Sequence, residues 1–197
     1  MKLAQAAAWF NHTPLAGWDG SAWVPDIAWG SFQVYDRFIS DREFGQKKRV
    51  FTCGDGEAID SAYLAVRSPD GNIYLVSSVN TDVQGTEVYN RTYMLMLAGF
   101  VADVYSVVTG TAPSGVARNA TPVLDATLHC DLARYGASSS REVGDLRLTL
   151  HEVTLPASYP VTTSHYLVID EVRYTVQEAF RELDLVVLRC AKRGAGA

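Results

Sequence analysis

A few residues of this 197-residue chain are of types that bind metal ions, but their spacing does not suit a shared site. Zinc sites need cysteine or histidine ligands at compatible spacing, and the only close pair here is His129-Cys130. Adjacent strand residues point to opposite faces, so we interpret this pair as a buried cysteine beside an exposed or hydrogen-bonded histidine. The segment Gly54-Asp55-Gly56-Glu57 lacks the alternating ligands and terminal glutamate of a calcium loop, and we interpret it as a turn. We therefore expect no metal.

Nucleophilic catalysis needs a serine or cysteine, a histidine base and an orienting carboxylate brought together. The chain has these residue types but no nucleophile elbow, Gly-rich phosphate loop or dinucleotide fingerprint. His151-Glu152 and His165 lie in or beside predicted strands, where hydrogen bonds can satisfy them. Glu182 and Asp184 are expected on the solvated face of one strand. We predict no catalytic residue and no cofactor, and hence not an enzyme, although a site built from residues distant in sequence would escape this argument.

The composition is that of an ordinary globular protein, with 48% hydrophobic and 20% charged residues. A net charge of -5 argues against a dedicated nucleic-acid binder, which usually has a basic balance. The N-terminal run of residues 3–10 is too short, and too polar at Gln5, for a signal peptide, and no run approaches the length of a membrane span. A reducing compartment is indicated by three widely spaced cysteines, an odd number unsuited to a disulfide scaffold: Cys53, Cys130 and Cys190.

The first 30 residues are predicted to form an aromatic arm, preceded by one or two helical turns near residues 3–10. The favoured interpretation is that its rings fill the core of the domain. An arm that docks on a neighbouring subunit is the alternative, because tryptophan is a typical interface anchor. A platform for stacking carbohydrate is a third possibility. The arm holds every tryptophan of the chain, and all four are candidate interface residues: Trp9, Trp18, Trp23 and Trp29.

From Ser31 onward the sequence predicts strand after strand, giving an all-β fold of small antiparallel barrel or sandwich units, as many as two. Ser68-Pro69-Asp70-Gly71 is a turn signal that predicts a hairpin between residues 63–66 and 73–76. Residues 109–122 are rich in Gly, Pro, Ser and Thr and are the predicted linker. It would separate a first unit of residues 31–108 from a second of residues 123–197. Arg141, in a loop expected to be exposed, is a further candidate interface residue.

The two halves also resemble each other. Residues 72–76 followed by residues 92–97 parallel residues 165–168 followed by residues 183–188. Two copies of a small β unit would account for the length of the chain.

The C-terminal stretch predicts three short strands, residues 166–169, 172–176 and 183–190. Apolar and polar residues alternate in the second, with the period of a half-buried strand. We therefore predict that Val172, Tyr174 and Val176 face a core and that Arg173 and Thr175 face outward, because a register slip of one residue would reverse every side chain.

The order of residues in this stretch resembles the end of the small β-barrel proteins that join head to tail in tailed bacteriophages. Members of that group often close with valine-isoleucine-aspartate, a short turn, arginine-tyrosine-threonine-valine, a gap, and a strand ending in arginine. A glycine common in the turn is replaced here by Glu171. The matching positions are Ile169, Asp170, Arg173, Tyr174, Thr175, Val176, Leu188 and Arg189.

The resemblance implies a structural virion protein of the neck, a head-closure (stopper) protein or adaptor, assembled in the host cytoplasm. It would associate with itself into a ring and contact portal or adaptor proteins and tail proteins, with Arg173 at an interface. DNA would pass through the lumen without sequence-specific binding, and an acidic subunit suits that place because a basic one would hold the phosphates. The alternatives are a tail terminator or other tail-tube-associated protein and, from another class, a β-sandwich carbohydrate-binding module or enzyme.

Overall fold

The computed structural model describes residues 13–34, 48–84, 87–108, 121–134, 141–143, 146–148 and 150–192. Within these ranges the chain is nearly all β, which confirms the predicted fold class; a 3₁₀ turn at Asp55–Glu57 is the one helical element there. The expected N-terminal helix and Trp9 lie outside the described residues. The chain divides into two compact units, Met1–Ala98 with Leu183–Leu185, and Gly99–Glu182 with Val186–Ala197.

The first unit contains a closed barrel of six strands. Their order around the barrel is β1-β2-β3-β6-β5-β4, and each neighbouring pair is antiparallel. The strands are β1 (Thr13–Trp18), β2 (Trp23–Val34), β3 (Lys48–Gly54), β4 (Ala65–Arg67), β5 (Ile73–Gln84) and β6 (Glu87–Leu97).

The second unit contains another closed barrel of six strands, in the order β7-β8-β11-β14-β13-β12. A separate two-stranded sheet is formed by β9 and β10. The strands are β7 (Phe100–Val108), β8 (Thr121–Arg134), β9 (Arg141–Val143), β10 (Leu146–Leu148), β11 (Leu150–Pro156), β12 (His165–Ile169), β13 (Val172–Glu182) and β14 (Leu185–Lys192). The first residue of β14, Leu185, belongs to the first unit.

The two barrels have the same strand order. When the barrel strands of each unit are numbered along the chain, both run 1-2-3-6-5-4 around the barrel. This correspondence makes β13 the counterpart of β5 and β14 the counterpart of β6. The similarity between the halves of the sequence is therefore correct for residues 92–97, in β6, which parallel β14. It is wrong for residues 72–76, which parallel β12 in sequence but belong with β5, the counterpart of β13.

The boundary between the units differs from the prediction. β7 pairs with β8 and β12, so Phe100–Val108 belongs to the second unit, and the division follows Ala98. The predicted linker joins β7 to β8, two strands that pair with each other as far as Val108 and Thr121. Its scarcity of bulky apolar residues therefore marks a connection within one barrel. The predicted arm is also wrong in its described part, because residues 13–30 form barrel strands β1 and β2.

Two clusters of apolar side chains form the core of the first unit. One is centred on Phe51, Tyr74 and Tyr93, and the Tyr93 hydroxyl accepts a hydrogen bond of 2.9 Å from the Ile59 amide. The other comprises Ala65, Leu75, Met96, Ala98 and Leu185, with Trp18, Trp23 and Ile73 packed against it. In β4, β5 and β6, two apolar residues follow each other along the strand. Because successive strand residues point to opposite faces, one of each two enters the first cluster and the other enters the second. Strands buried on both faces give continuous apolar runs in place of alternation.

The core of the second unit shows the alternation predicted from the sequence. Tyr174 and Val176 are buried in β13, while Arg173 is exposed, which confirms the assignment of these three side chains. Val172 and Thr175 are half-buried. The other strands contribute Ala102, Val104, Leu128, Cys130, Val153, Leu155, Leu167, Ile169, Leu188 and Cys190.

Two tight turns fix the register of the corresponding hairpins β4–β5 and β12–β13. Gly71, at φ 85°, closes the first, where its amide donates to the Ser68 carbonyl at 2.9 Å. Asp170 and Glu171 form the second with φ values of 48° and 64°. Two consecutive residues with positive φ are the mark of a type I′ turn, whose twist matches that of the strands it joins. Glu171 therefore holds a conformation that glycine adopts more readily.

Candidate interaction surfaces

Trp18 and Trp23 form a pair in the first unit. They lie opposite each other on β1 and β2, with ring centroids 5.5 Å apart and planes tilted by 49°. The guanidinium of Arg67, on β4, lies 4.6 Å from the Trp23 ring centroid, a cation–π contact. Because both rings also pack against the cluster around Leu75 and Met96, they stabilise the first unit. This agrees with the favoured interpretation that these rings fill a core.

The turn between the two tryptophans sets the geometry of the pair. The Asp19 carboxylate accepts hydrogen bonds of 2.8 Å from the amides of Ser21 and Ala22, and these bonds, chiefly the one from Ala22, lower the pKa of Asp19. Gly20 adopts φ 101°. An Asp-Gly pair between residues of strand type is a hairpin signal, so this turn was readable in the sequence. The prediction of an arm, which rests on the surrounding glycines and prolines, does not include this turn.

The other predicted interface residues of the N-terminal segment and loop are placed separately. Trp29 lies on β2 with 38% of its surface exposed, which makes it the most accessible of the three described tryptophans. Arg141 begins β9, where only its backbone is described, and Trp9 lies outside the described residues. The structure thus brings Trp18 and Trp23 together, and Trp29 is not part of their stack.

Arg173 caps a stack of aromatic rings on the second barrel. Its guanidinium carbon lies 3.8 Å from the ring centroid of Tyr166, and that ring stacks on Tyr105 with centroids 5.0 Å apart and planes only 5° from parallel. β7, β12 and β13 are neighbours, so three strands contribute to this stack. A guanidinium held by its face keeps its N–H groups at the edge, where they can reach a carboxylate outside the barrel. We call Arg173, Tyr166 and Tyr105 the arginine–tyrosine stack.

Arg189, the closing arginine of the sequence pattern, is held within its own unit. Its Nη1 lies 2.8 Å from Oε2 of Glu178, and its guanidinium carbon lies 5.3 Å from the Phe180 ring centroid. Burial raises the pKa of Glu152, although Arg189 opposes that shift. The charge of Arg189 is thus balanced locally. Arg173 differs, because its guanidinium forms no ion pair with another described residue.

The second unit also assembles hydroxyl, imidazole and carboxylate groups that the sequence did not connect. His165 Nδ1 accepts a 3.1 Å hydrogen bond from the Thr162 amide and lies 3.0 Å from the Thr162 hydroxyl, so the ring proton resides on Nε2. Nε2 lies 3.8 Å from Oδ2 of Asp125, whose other oxygen accepts a 3.0 Å bond from Ser106.

This arrangement has the residue types of a hydrolytic triad, but its bonds are those of a turn. The His165 amide donates to the Thr162 carbonyl at 3.0 Å, and the Thr162 hydroxyl also lies 2.7 Å from that of Ser164. The imidazole therefore closes the turn leading into β12, and the Thr162 hydroxyl is shared among local partners. No sequence signal marks the group, since Asp125 is forty residues from His165 along the chain.

The cysteines and His129 occupy positions that follow from strand alternation. All three cysteines are buried thiols, and His129, the residue before Cys130, is half-buried. Burial raises the pKa of the Cys130 thiol far above its ordinary value and that of Cys190 to about 12. These thiols therefore stay protonated and are weak nucleophiles and weak metal ligands at neutral pH. Among the described residues, no group of three His, Cys, Asp or Glu side chains converges on a possible metal position.

None of the helical structure in the described ranges is long and apolar enough to cross a membrane. Comparisons with protein-family models, with curated proteins and with solved structures found no match for this chain.

Proposed function

We propose that this chain is a structural protein of a tailed-phage virion, one subunit of a neck ring between portal and tail. The observation that carries the proposal is the hairpin β12–β13 with the strand β14. Its residue pattern resembles the closing strands of head-to-tail joining proteins, and its alternation buries Tyr174 and Val176 while Arg173 faces outward.

The arginine–tyrosine stack supplies a physical reason for contact at this surface. Stacking on Tyr166 at 3.8 Å restrains the Arg173 side chain, which lowers the entropy lost when a partner carboxylate binds it. Exposed apolar side chains accompany it in the same unit, among them Val101, Val107 and Leu124, each more than 40% exposed. An apolar surface with a preorganised arginine is typical of protein–protein interfaces.

The charge of the chain agrees with a position around DNA that moves. A ring built from subunits of net charge -5 would offer the phosphates little attraction, so DNA would slide through it. The hydroxyl and imidazole groups at Thr162, Ser164 and His165 serve a turn, and we propose a role in assembly without catalysis.

Electron microscopy of the purified protein tests the assembly proposal. We expect negatively stained rings, alone or with the proteins encoded by adjoining genes, which would include portal, capsid or tail proteins. Arg173→Glu should keep its fold and lose attachment to the adjoining ring, because it places a negative charge where a partner carboxylate is expected. The matched control is Lys192→Glu, an equal charge reversal at an exposed position of β14.

Two results would contradict the proposal. The carbohydrate-binding alternative would be supported if the protein binds glycans and stays monomeric when mixed with the proteins encoded by adjoining genes. For that alternative Trp29 is the most accessible of the described tryptophan rings, since Trp18 and Trp23 are partly buried against a core cluster. Rings that attach equally well with Arg173→Glu and with Lys192→Glu would remove the arginine–tyrosine stack from the interface.

A further inference from the structure

A cleft in the first barrel contains one carboxylate and one guanidinium that form no ion pair with any described residue. The cleft has a volume of about 420 Å³ and lies where β1, β2 and the end of β4 meet. Its floor includes Leu15, which is fully buried. The residues that define its character are Pro14, Leu15, Pro25, Asp26, Arg67 and Pro69.

A bulge in β2 places Asp26 at this cleft. The register passes from Gly17 opposite Val24 to Leu15 opposite Ala28, so β1 advances two residues while β2 advances four. Asp26 lies within the extra length and adopts φ 54°, in the left-handed region. Bulges redirect side chains and are frequent beside functional sites, and a strained non-glycine residue persists only where its surroundings hold it.

Arg67 lies on β4, on the other side of β1 from Asp26. Its guanidinium carbon lies 4.6 Å from the centroid of the Trp23 ring, and this contact holds the side chain in place. The carboxylate that follows it in sequence, Asp70, is already occupied. It accepts hydrogen bonds from the Ser68 hydroxyl and, at 2.6 Å, from the Asn72 side chain. These bonds, chiefly the one from Ser68, lower the pKa of Asp70. Its carboxylate is thus engaged by side chains of its own turn. The guanidinium edge of Arg67 therefore stays available to a ligand.

The cleft also borders a stretch of β1 that, among the described residues, pairs with a neighbouring strand on one side only. β4 pairs with β1 only at residues 16–18, and in the described ranges residues 13–15 pair with β2 alone. A chain in extended conformation can lie beside such an edge and continue the sheet, as in recognition by strand addition.

We propose that this cleft binds an extended peptide segment of a partner protein that carries a carboxylate side chain for Arg67 and, close by, an ammonium or guanidinium group for Asp26. The exposed prolines of the cleft, Pro25 and Pro69, would contact the segment's aliphatic atoms. A phosphate-rich ligand is disfavoured, because the carboxylate of Asp26 would repel it. The proposal stands on the first barrel alone and does not depend on the role proposed for Arg173.

Nuclear magnetic resonance of the ¹⁵N-labelled full chain tests the site with a defined probe, the blocked tripeptide acetyl-Glu-Ala-Lys-amide. We expect saturable shifts of the amides of Leu15, Ala16, Asp26, Arg67 and Gly71. Acetyl-Ala-Ala-Ala-amide and inorganic phosphate should shift them much less. Asp26→Gly, which suits φ 54°, and Arg67→Gln should each weaken tripeptide binding roughly tenfold, the factor expected for losing one charge-assisted hydrogen bond.

The control is Asp82→Asn, which removes a carboxylate from an exposed position of β5 outside the cleft and should leave binding unchanged. The dispersion of each variant's spectrum checks that it is folded. An absence of saturable shifts with the charged tripeptide would overturn the proposal. Equal shifts with the alanine tripeptide or with phosphate, or binding that survives both Asp26→Gly and Arg67→Gln, would overturn it as well.

Discussion

Replacing Glu171 by glycine should stabilise the protein. Glu171 adopts φ 64° in the turn between β12 and β13, where the preceding Asp170 has φ 48°. The left-handed conformation costs an L-residue roughly 1–2 kcal/mol relative to glycine. Relieving that cost should stabilise the folded state of the glycine variant. Glycine also gives the unfolded chain more conformational freedom, which offsets about 0.4–1 kcal/mol of this stabilisation. The Glu171 side chain is exposed and forms no hydrogen bond or ion pair with a described residue, so no contact is lost.

The net gain should therefore be about 0.5–1 kcal/mol in the free energy of unfolding. For a chain of this size, a gain of that order raises the midpoint of thermal unfolding by about 1–4 °C. Urea titration followed by circular dichroism measures the free energy, and its slope checks that the transition has not changed.

Two further variants separate the backbone effect from other causes. Glu171→Ala removes the same charge but keeps the cost of positive φ, so it should leave stability near that of the parent. Gln177→Gly places glycine in the extended, exposed part of β13 and should cost about 0.5–1 kcal/mol. If Glu171→Gly melts at or below the parent temperature, or if Glu171→Ala gains as much, the left-handed turn is not what limits this hairpin.

Three other outcomes are expected. Gly30→Ala should lower the free energy of unfolding measured by urea titration by about 1–3 kcal/mol, because the added Cβ would collide with the backbone carbonyl oxygen of Thr52, whereas Gly54→Ala, with open space around it, should not. Val176→Asp should prevent folding, seen as loss of the β circular dichroism spectrum, while Arg173→Glu should melt like the parent. The pKa of Asp70 is lowered in the fold, so its carboxylate stabilises the folded state above the ordinary pKa of 3.8 and this contribution is lost as pH falls through the lower folded pKa; Asp70→Asn should therefore be less stable than the parent at pH 7, and the difference should shrink as pH falls below 3.8.

The strands of the second unit were largely predictable from the sequence because alternation and turn residues agree there. The period-2 pattern placed Tyr174 and Val176 in the core, and the Asp170-Glu171 turn marked the end of β12. The hairpin β4–β5 was predictable for a similar reason, since its Pro-Asp-Gly turn has a defined geometry.

The strands β1 and β2 and the division between the units were not predictable in the same way. Residues 13–30 carry prolines, glycines and a bulge at Asp26, so their alternation is broken at the points where a strand would otherwise be recognised. β7 follows β6 closely in sequence, and only its pairing with β8 and β12 assigns it to the second unit. The stack of Tyr105, Tyr166 and Arg173 depends on the neighbours that this pairing creates, and no local pattern predicts it.

The shared strand order of the barrels creates a hazard during folding. Each barrel strand of one half has an equivalent position in the strand order of the other half. The topology therefore permits strands to exchange between the halves or between two copies of the chain. The side chains of the two cores differ enough to oppose it. β3 buries one aromatic and one small side chain, Phe51 and Cys53, while its counterpart β11 buries two aliphatic side chains, Val153 and Leu155. An exchange of these strands would place side chains of different shape in each core, and such a misfit costs stability. Divergence of the two cores thus makes each half fold on itself.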